Sequence, residues 1–199
     1  MLAGCGKQTP EEIIKQVNSS GTISDEQAES LSQLDDVNLY GLSSITDEQA
    51  ESLSKVQLLS LDGLCSITDA QAESLSKAES LDLNGLTSIT DQQAESLSKI
   101  EEALGLNGLT SITDEQAESL GRIEGGLVLN GLTSITNEQA ESLSNIKGQL
   151  RLSGLTSITD AQAESLSKVN WLRLNGLISI TDPQAESLSK VEGFLTISE

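Results

Sequence analysis

The chain has 199 residues and carries 31 acidic against 11 basic side chains and no histidine, a net charge of −20. That balance argues against nucleic acid and against an adsorbed anionic membrane face, because both rest on Lys and Arg clusters. Aromatics make up 2% of the chain, so its core has to be aliphatic. The acidity itself reads as a solvated, self-repelling surface, with a salt-adapted host or weak divalent-cation binding as alternatives. No run of about 18 apolar residues is present that would span a bilayer.

Residues 1–8 open with Leu2-Ala3-Gly4-Cys5, which resembles the lipobox of bacterial lipoproteins: an aliphatic residue, two small residues and the Cys that takes the diacylglycerol. The polar Gly6-Lys7-Gln8 follows as a tether. The resemblance implies lipidation at Cys5 and a bacterial envelope location. Gly6 rather than Asp after the Cys implies an outer-membrane lipoprotein. The basic and apolar signal segments that export requires do not precede Cys5 in this chain, so the reading calls for an upstream start. A chance match of four permissive residues is the alternative. Membrane attachment, on this reading, is through acyl chains alone, at about 0.8 kcal/mol per buried CH₂.

Residues 9–20 form an N-terminal capping segment, with a helix expected over 9–18. Thr9 suits the N-cap, Pro10 the first helical position, and Glu12 the third position of a capping box. Ile13, Ile14 and Val17 share one face, the spacing of a helix laid over the open end of a core. Asn18-Ser19-Ser20-Gly21 is expected to break it.

Residues 21–199 repeat one unit eight times, the last incompletely: L-x-L-x-G-L-x-S-I-T-D-x-Q-A-E-S-L-S-K. Its Ile anchors fall at Ile23, Ile45, Ile67, Ile89, Ile112, Ile135, Ile158 and Ile180, a spacing of 22 or 23 residues. A fixed period of this size is the signature of a solenoid, in which each unit buries its apolar face only against its neighbours. The alternating L-x-L-x is read as a short strand with Leu inward, and the following Gly as a turn. Thr-Asp-x-Gln is a capping box ahead of a two-turn helix that points Ala and Leu inward. The extra residue of the longer units falls between helix and strand, where a surface loop absorbs it. The last strand closes the array without a C-terminal cap, the expectation for a piece of a longer array.

Leu81-Asp82-Leu83-Asn84-Gly85-Leu86-Thr87-Ser88-Ile89-Thr90-Asp91 resembles the cysteine-containing class of leucine-rich repeats, and the likeness recurs through most of the chain. It implies an α/β solenoid with a parallel β-sheet on the concave side and short helices on the convex side. Two departures matter: Leu86 and its equivalents stand where that class has a Cys or Asn ladder, and the period is short. The hydrogen bonds of the turn are therefore left without assigned partners.

Catalysis is not expected. Without His there is no imidazole base, no His-containing triad and no His-based metal site, and no cofactor is implied. The recurrent Asp and Glu columns are read as first-turn helix residues and an exposed face, since helices about 10 Å apart hold carboxylates beyond reach of one ion. Cys65, in the column of Ser43, Thr87, Thr110, Thr133 and Thr156, is read as an inert, partly buried thiol.

The informative positions are those where copies differ. Three columns of the strand segment are read as facing away from the core. One holds Asp36, Leu58, Ser80, Ala103, Gly126, Gln149, Trp171 and Phe194; the next Asn38, Ser60, Asp82, Gly105, Val128, Arg151, Arg173 and Thr196. The third begins with Tyr40, Asp62, Asn84 and Asn107. All three aromatics, Tyr40, Trp171 and Phe194, thus fall on the outward face together with Arg151 and Arg173. Trp, Tyr and Arg are the side chains enriched at interface hot spots, so these five are the candidate binding residues, with drift on a tolerant surface as the alternative. The expected function is a non-catalytic binding or scaffold module of the bacterial envelope for a protein or anionic glycan partner. A structural spacer without a ligand is the second reading.

Overall fold

The computed structural model describes residues 8–197; Cys5 lies outside them. The chain is an α/β solenoid. A capping helix α1 (Pro10–Ser20) is followed by α2 (Asp25–Leu31), and strands and helices then alternate. The strands are β1 (Asp36–Asn38), β2 (Leu58–Ser60), β3 (Ser80–Asp82), β4 (Ala103–Gly105), β5 (Gly126–Val128), β6 (Gln149–Arg151), β7 (Trp171–Leu174) and β8 (Phe194–Ile197). Between them run α3 (Asp47–Leu53), α4 (Asp69–Leu75), α5 (Asp91–Leu97), α6 (Asp114–Leu120), α7 (Asn137–Leu143), α8 (Asp160–Leu166) and α9 (Asp182–Leu188). The strands form one parallel sheet in sequence order, and every helix from α2 onward packs against the next.

Strand register follows the repeat: Leu59 pairs with Leu81, Leu81 with Leu104, and Leu104 with Leu127. The longer units keep that register because their extra residue lies between α5 and β4 and at the equivalent places in the next two units. Each unit closes the same aliphatic layer. Leu81, Leu83, Leu86, Ala94, Leu97 and Ile100 are all buried, and at roughly 1.5–3 kcal/mol per large aliphatic side chain the stacked layers carry the stability. Ile13 and Val17 of α1 are buried over the first layer. α1 runs past the expected break at Asn18, through Ser20, and stops at Gly21. There φ is +74°, and the Gly21 N–H donates to Val17 C=O at 2.8 Å, a left-handed cap that glycine adopts without strain.

Polar ladders join the units. Within each box the Gln carboxamide oxygen accepts from the N-cap N–H, while its Nε2 donates backwards to the preceding unit. Gln93 Nε2 reaches Ile67 C=O at 2.9 Å, Gln116 reaches Ile89 at 2.9 Å, and Gln139 reaches Ile112 at 2.9 Å. The N-cap hydroxyl also works twice. Thr90 Oγ1 accepts from Gln93 N–H at 3.0 Å and donates to Asp69 of the preceding unit at 2.8 Å. The Asp column is therefore more than a helix-dipole residue, and Asn137 substitutes in it by accepting from Thr159 at 3.0 Å.

The third outward column is a correction to the sequence reading: apart from Tyr40, its side chains from Asp62 to Asn130 are tied down. Asn84 Oδ1 accepts from Asn107 N–H at 3.0 Å, Asn107 Oδ1 from Asn130 N–H at 3.1 Å, and Asn130 Oδ1 from Ser153 N–H at 2.9 Å. An asparagine ladder thus exists, two residues earlier than the Leu86 column where it was sought. The glycine after it serves close approach rather than a special turn. A Cβ on Gly85 would lie 2.2 Å from Asp62 C=O and 2.7 Å from Leu64 C=O. Cys65 is corrected too: it is exposed, because its column leaves the turn toward solvent beside the buried Leu64.

Candidate functional site

Where the ladders and layers are filled by near-identical residues, the two free columns of the strand face carry what distinguishes one unit from another. Strand pairing brings Trp171 beside Phe194, and Arg151 beside Arg173, in register. The two rings are 52% and 45% exposed, with centroids 6.4 Å apart and planes tilted by 48°. The Arg173 guanidinium lies 5.8 Å from the Phe194 centroid, within the range of a cation–π contact. Its Nε is buried with no hydrogen-bond partner, as is the neighbouring Thr196 hydroxyl. Arg151 Nε donates to Gln149 Oε1 at 2.9 Å. The ion pairs among the described residues, Lys55–Glu29, Arg122–Glu118 and Lys147–Glu124, all lie elsewhere. On a chain of net charge −20, two guanidinium groups and two rings are gathered without an acid to neutralise them.

Tyr40 does not join this cluster. β1 ends at Asn38, so Tyr40 sits in the following turn, 62% exposed. It flanks a hollow of about 460 Å³ beside Glu11, Ile14 and Lys15 of α1. β1 and β7 are six strand spacings apart, about 29 Å. The grouping of three aromatics on one strand face is thus reduced to two, and Tyr40 belongs to the capped end.

The opposite end of the strand face is acidic. Asp36, Leu58, Ser60, Ser80, Asp82 and Ala103 help line a shallow depression of about 300 Å³. The Asp82 carboxyl is pushed above its ordinary range, first by partial desolvation and then by Asp62 nearby, with a bond from Asn84 acting the other way. It leans over β4, where the oxygen occupies the space a Cβ on Gly105 would need. Leu58 is 46% exposed in the same depression. Sequence reasoning placed these residues in the right columns but did not single them out. The signal was the order along the columns: acids on β1 and β3, small residues on β4 and β5, basic and aromatic residues on β6–β8.

The strand-face hydroxyls have no adjacent imidazole, as the chain holds no His. Among the described residues no group of three or more Cys, Asp or Glu is placed to hold a metal ion, and no helix there is long and apolar enough to cross a membrane.

No family model matches the chain, and no curated protein matches it. Among solved structures it is similar to internalin C2 of Listeria monocytogenes str. 4b F2365, at 18% identity and a TM-score of 0.47, over 94% of this chain and 91% of that one. It is also similar to the internalin InlF of the same strain, at 15% identity and a TM-score of 0.42, over 94% of this chain and 76% of that one.

Proposed function

We propose that this solenoid is a non-catalytic binding module whose strand face receives a protein partner. One observation carries the reading: Arg151, Arg173, Trp171 and Phe194 are collected on adjacent strands with no acidic counterpart. Arg pairs with a carboxylate through two parallel bonds, and half-exposed rings supply apolar area beside it. A protein fits better than an extended anionic glycan, because Asp36, Asp62 and Asp82 on the same face would repel a polyanion. The module is placed at the bacterial envelope by a lipid anchor on Cys5, on the strength of the Leu2-Ala3-Gly4-Cys5 string. A ligand-free spacer is the second reading, favoured by the near-identity of the units.

The test is capture from envelope extract by wild type and by the Trp171→Ala/Arg173→Ala double variant, both shown to be folded. Loss of a true hot spot costs about 2 kcal/mol, near thirtyfold in affinity, so the captured protein is expected to vanish with the variant. Equal yield with both would favour the spacer. The anchor is tested separately, with the native upstream sequence restored: labelling by a fatty-acid probe is expected in wild type and lost in Cys5→Ser, and equal labelling would remove the envelope placement.

A further inference from the structure

The strand face sorts its charge along its length, with its acids on one side of the middle and its guanidinium groups on the other. Asp36 and Asp82 stand on β1 and β3, Arg151 and Arg173 on β6 and β7. Between them β4 and β5 present only Ala103, Gly105, Gly126 and Val128. A Cβ on Gly126 would meet nothing closer than 3.7 Å, so the face is low there, whereas the Asp82 carboxyl covers Gly105.

We infer that the partner of this face is a second copy of the chain, packed face to face about a two-fold axis that runs along the strands between β4 and β5. The inference rests on the reading of the strand face as the binding surface. Rotation about that axis reverses the strand order and keeps strand direction, so β3 lies over β6 of the other copy and β2 over β7. The columns stay matched, since register is uniform through the sheet. Asp82 then faces Arg151 of the other copy, and the exposed Leu58 faces Trp171. Arg173 falls opposite Ser60, within a strand's width of Asp82. Each contact occurs twice, as an isologous interface requires. Asp36 falls opposite Phe194, so the ion pair gained in register is Asp82–Arg151, made twice, between groups with no ion-pair partner among the described residues of one chain.

The other two-fold arrangement, with the axis across the strands, sets each strand over itself. It would oppose Arg151 to Arg151 and Asp82 to Asp82, and like-charge juxtaposition excludes it.

The face is about 34 Å wide and about 10 Å deep at ordinary strand dimensions, small for a specific interface. A weak, salt-sensitive dimer follows, with a dissociation constant on the order of 10–100 μM. The body of the molecule, at −20, repels its copy, so added salt acts in two directions. It screens the global repulsion at long range, while the paired charges at the face weaken.

The experiment is sedimentation equilibrium from 5 to about 500 μM with charge-exchanged variants whose circular dichroism matches wild type. Arg151→Glu/Arg173→Glu makes the face acidic at both ends, and Asp36→Lys/Asp82→Lys makes it basic at both ends. Each alone is expected to associate at least tenfold more weakly than wild type. An equimolar mixture of the two restores a dimer, because every contact across it is again between opposite charges. Trp171, the one tryptophan of the chain, reports independently through a blue shift of its emission as wild type is concentrated. Wild type that stays monomeric throughout, or a mixture that stays monomeric, overturns the inference. If such a monomer still captures an envelope protein through Trp171 and Arg173, the binding-module reading stands and only the self-pairing falls.

Discussion

Gln93 and Gln92 are neighbours on α5, chemically identical, and offer a direct measure of what the ladders contribute. Gln92 is exposed. Gln93 is 6% exposed, accepts from Thr90 N–H at 3.0 Å and donates to Ile67 C=O of the preceding unit at 2.9 Å. Gln93→Ala removes both bonds and leaves a cap N–H and a shielded carbonyl without partners. A buried group stripped of its partner costs about 1–3 kcal/mol and a lost neutral bond about 1 kcal/mol, so the expected destabilisation is ~2–4 kcal/mol. Gln92→Ala, sharing the same gain in helix propensity, is expected within ±0.5 kcal/mol of wild type. Equilibrium urea unfolding, compared at the midpoints with slopes held in common, reads the difference. Gln93→Glu sharpens it: the carboxylate still accepts from Thr90 but meets the Ile67 oxygen with no proton to share. Its folded-state pKa is thereby raised, so the variant is expected to regain stability as pH falls. Equal midpoints for Gln92→Ala and Gln93→Ala would refute the account of the ladder.

Gly85→Ala forces a Cβ to within 2.2 Å of a backbone carbonyl of the neighbouring coil and is expected to lower the stability read by urea unfolding by ~2 kcal/mol or more, with no compensating side-chain movement available. Deleting residues 68–89 joins Ile67 to Thr90 in register and is expected to leave a cooperative circular dichroism melt, whereas Leu83→Asp, which buries an unpaired charge in a fully buried position, is expected to abolish it. Asp82→Asn bears on pH: the folded-state pKa of Asp82 is raised, so its ionisation opposes folding as pH rises through that value. The variant is expected to be more stable at pH 7 by less than about 1 kcal/mol, and the difference closes below about pH 4, where both chains are neutral there; urea midpoints at the two pH values check it.

Most of the fold was legible because period and pattern agree. The Leu81–Leu83 alternation, the Thr90-Asp91-Gln92-Gln93 box and the Ala94–Leu97 spacing each dictate one local structure, and the fixed period stacks them in one register. What sequence reasoning missed lies between units, where local rules are silent. Asn84 looks like an outward strand residue until the next coil places Asn107 N–H on its oxygen. Gly85 looks like a turn residue until the preceding coil presses its carbonyls against it. Tyr40 shares a column with Asn84 on paper, but no strand precedes β1 and its turn lies beside α1 instead. The site was legible in part: register put Trp171 beside Phe194, while the lean of Asp82 over Gly105 depends on side-chain packing that no column shows.

All the side-chain ladders point the same way. Gln Nε2, the N-cap hydroxyl and the strand-end N–H of each unit donate to acceptors on the unit before it. A ribosome releases the chain in that same direction. The capped first coil emerges first and presents its ladder acceptors; each later coil arrives carrying the matching side-chain donors, while strand N–H groups such as those of Leu39 and Leu61 donate forward to Ser60 and Asp82. Growth is thus vectorial, like adding a course of bricks to a laid wall. Near-identical units invite mispairing between distant copies, and such ordered arrival removes most of those competitors simply because they do not yet exist.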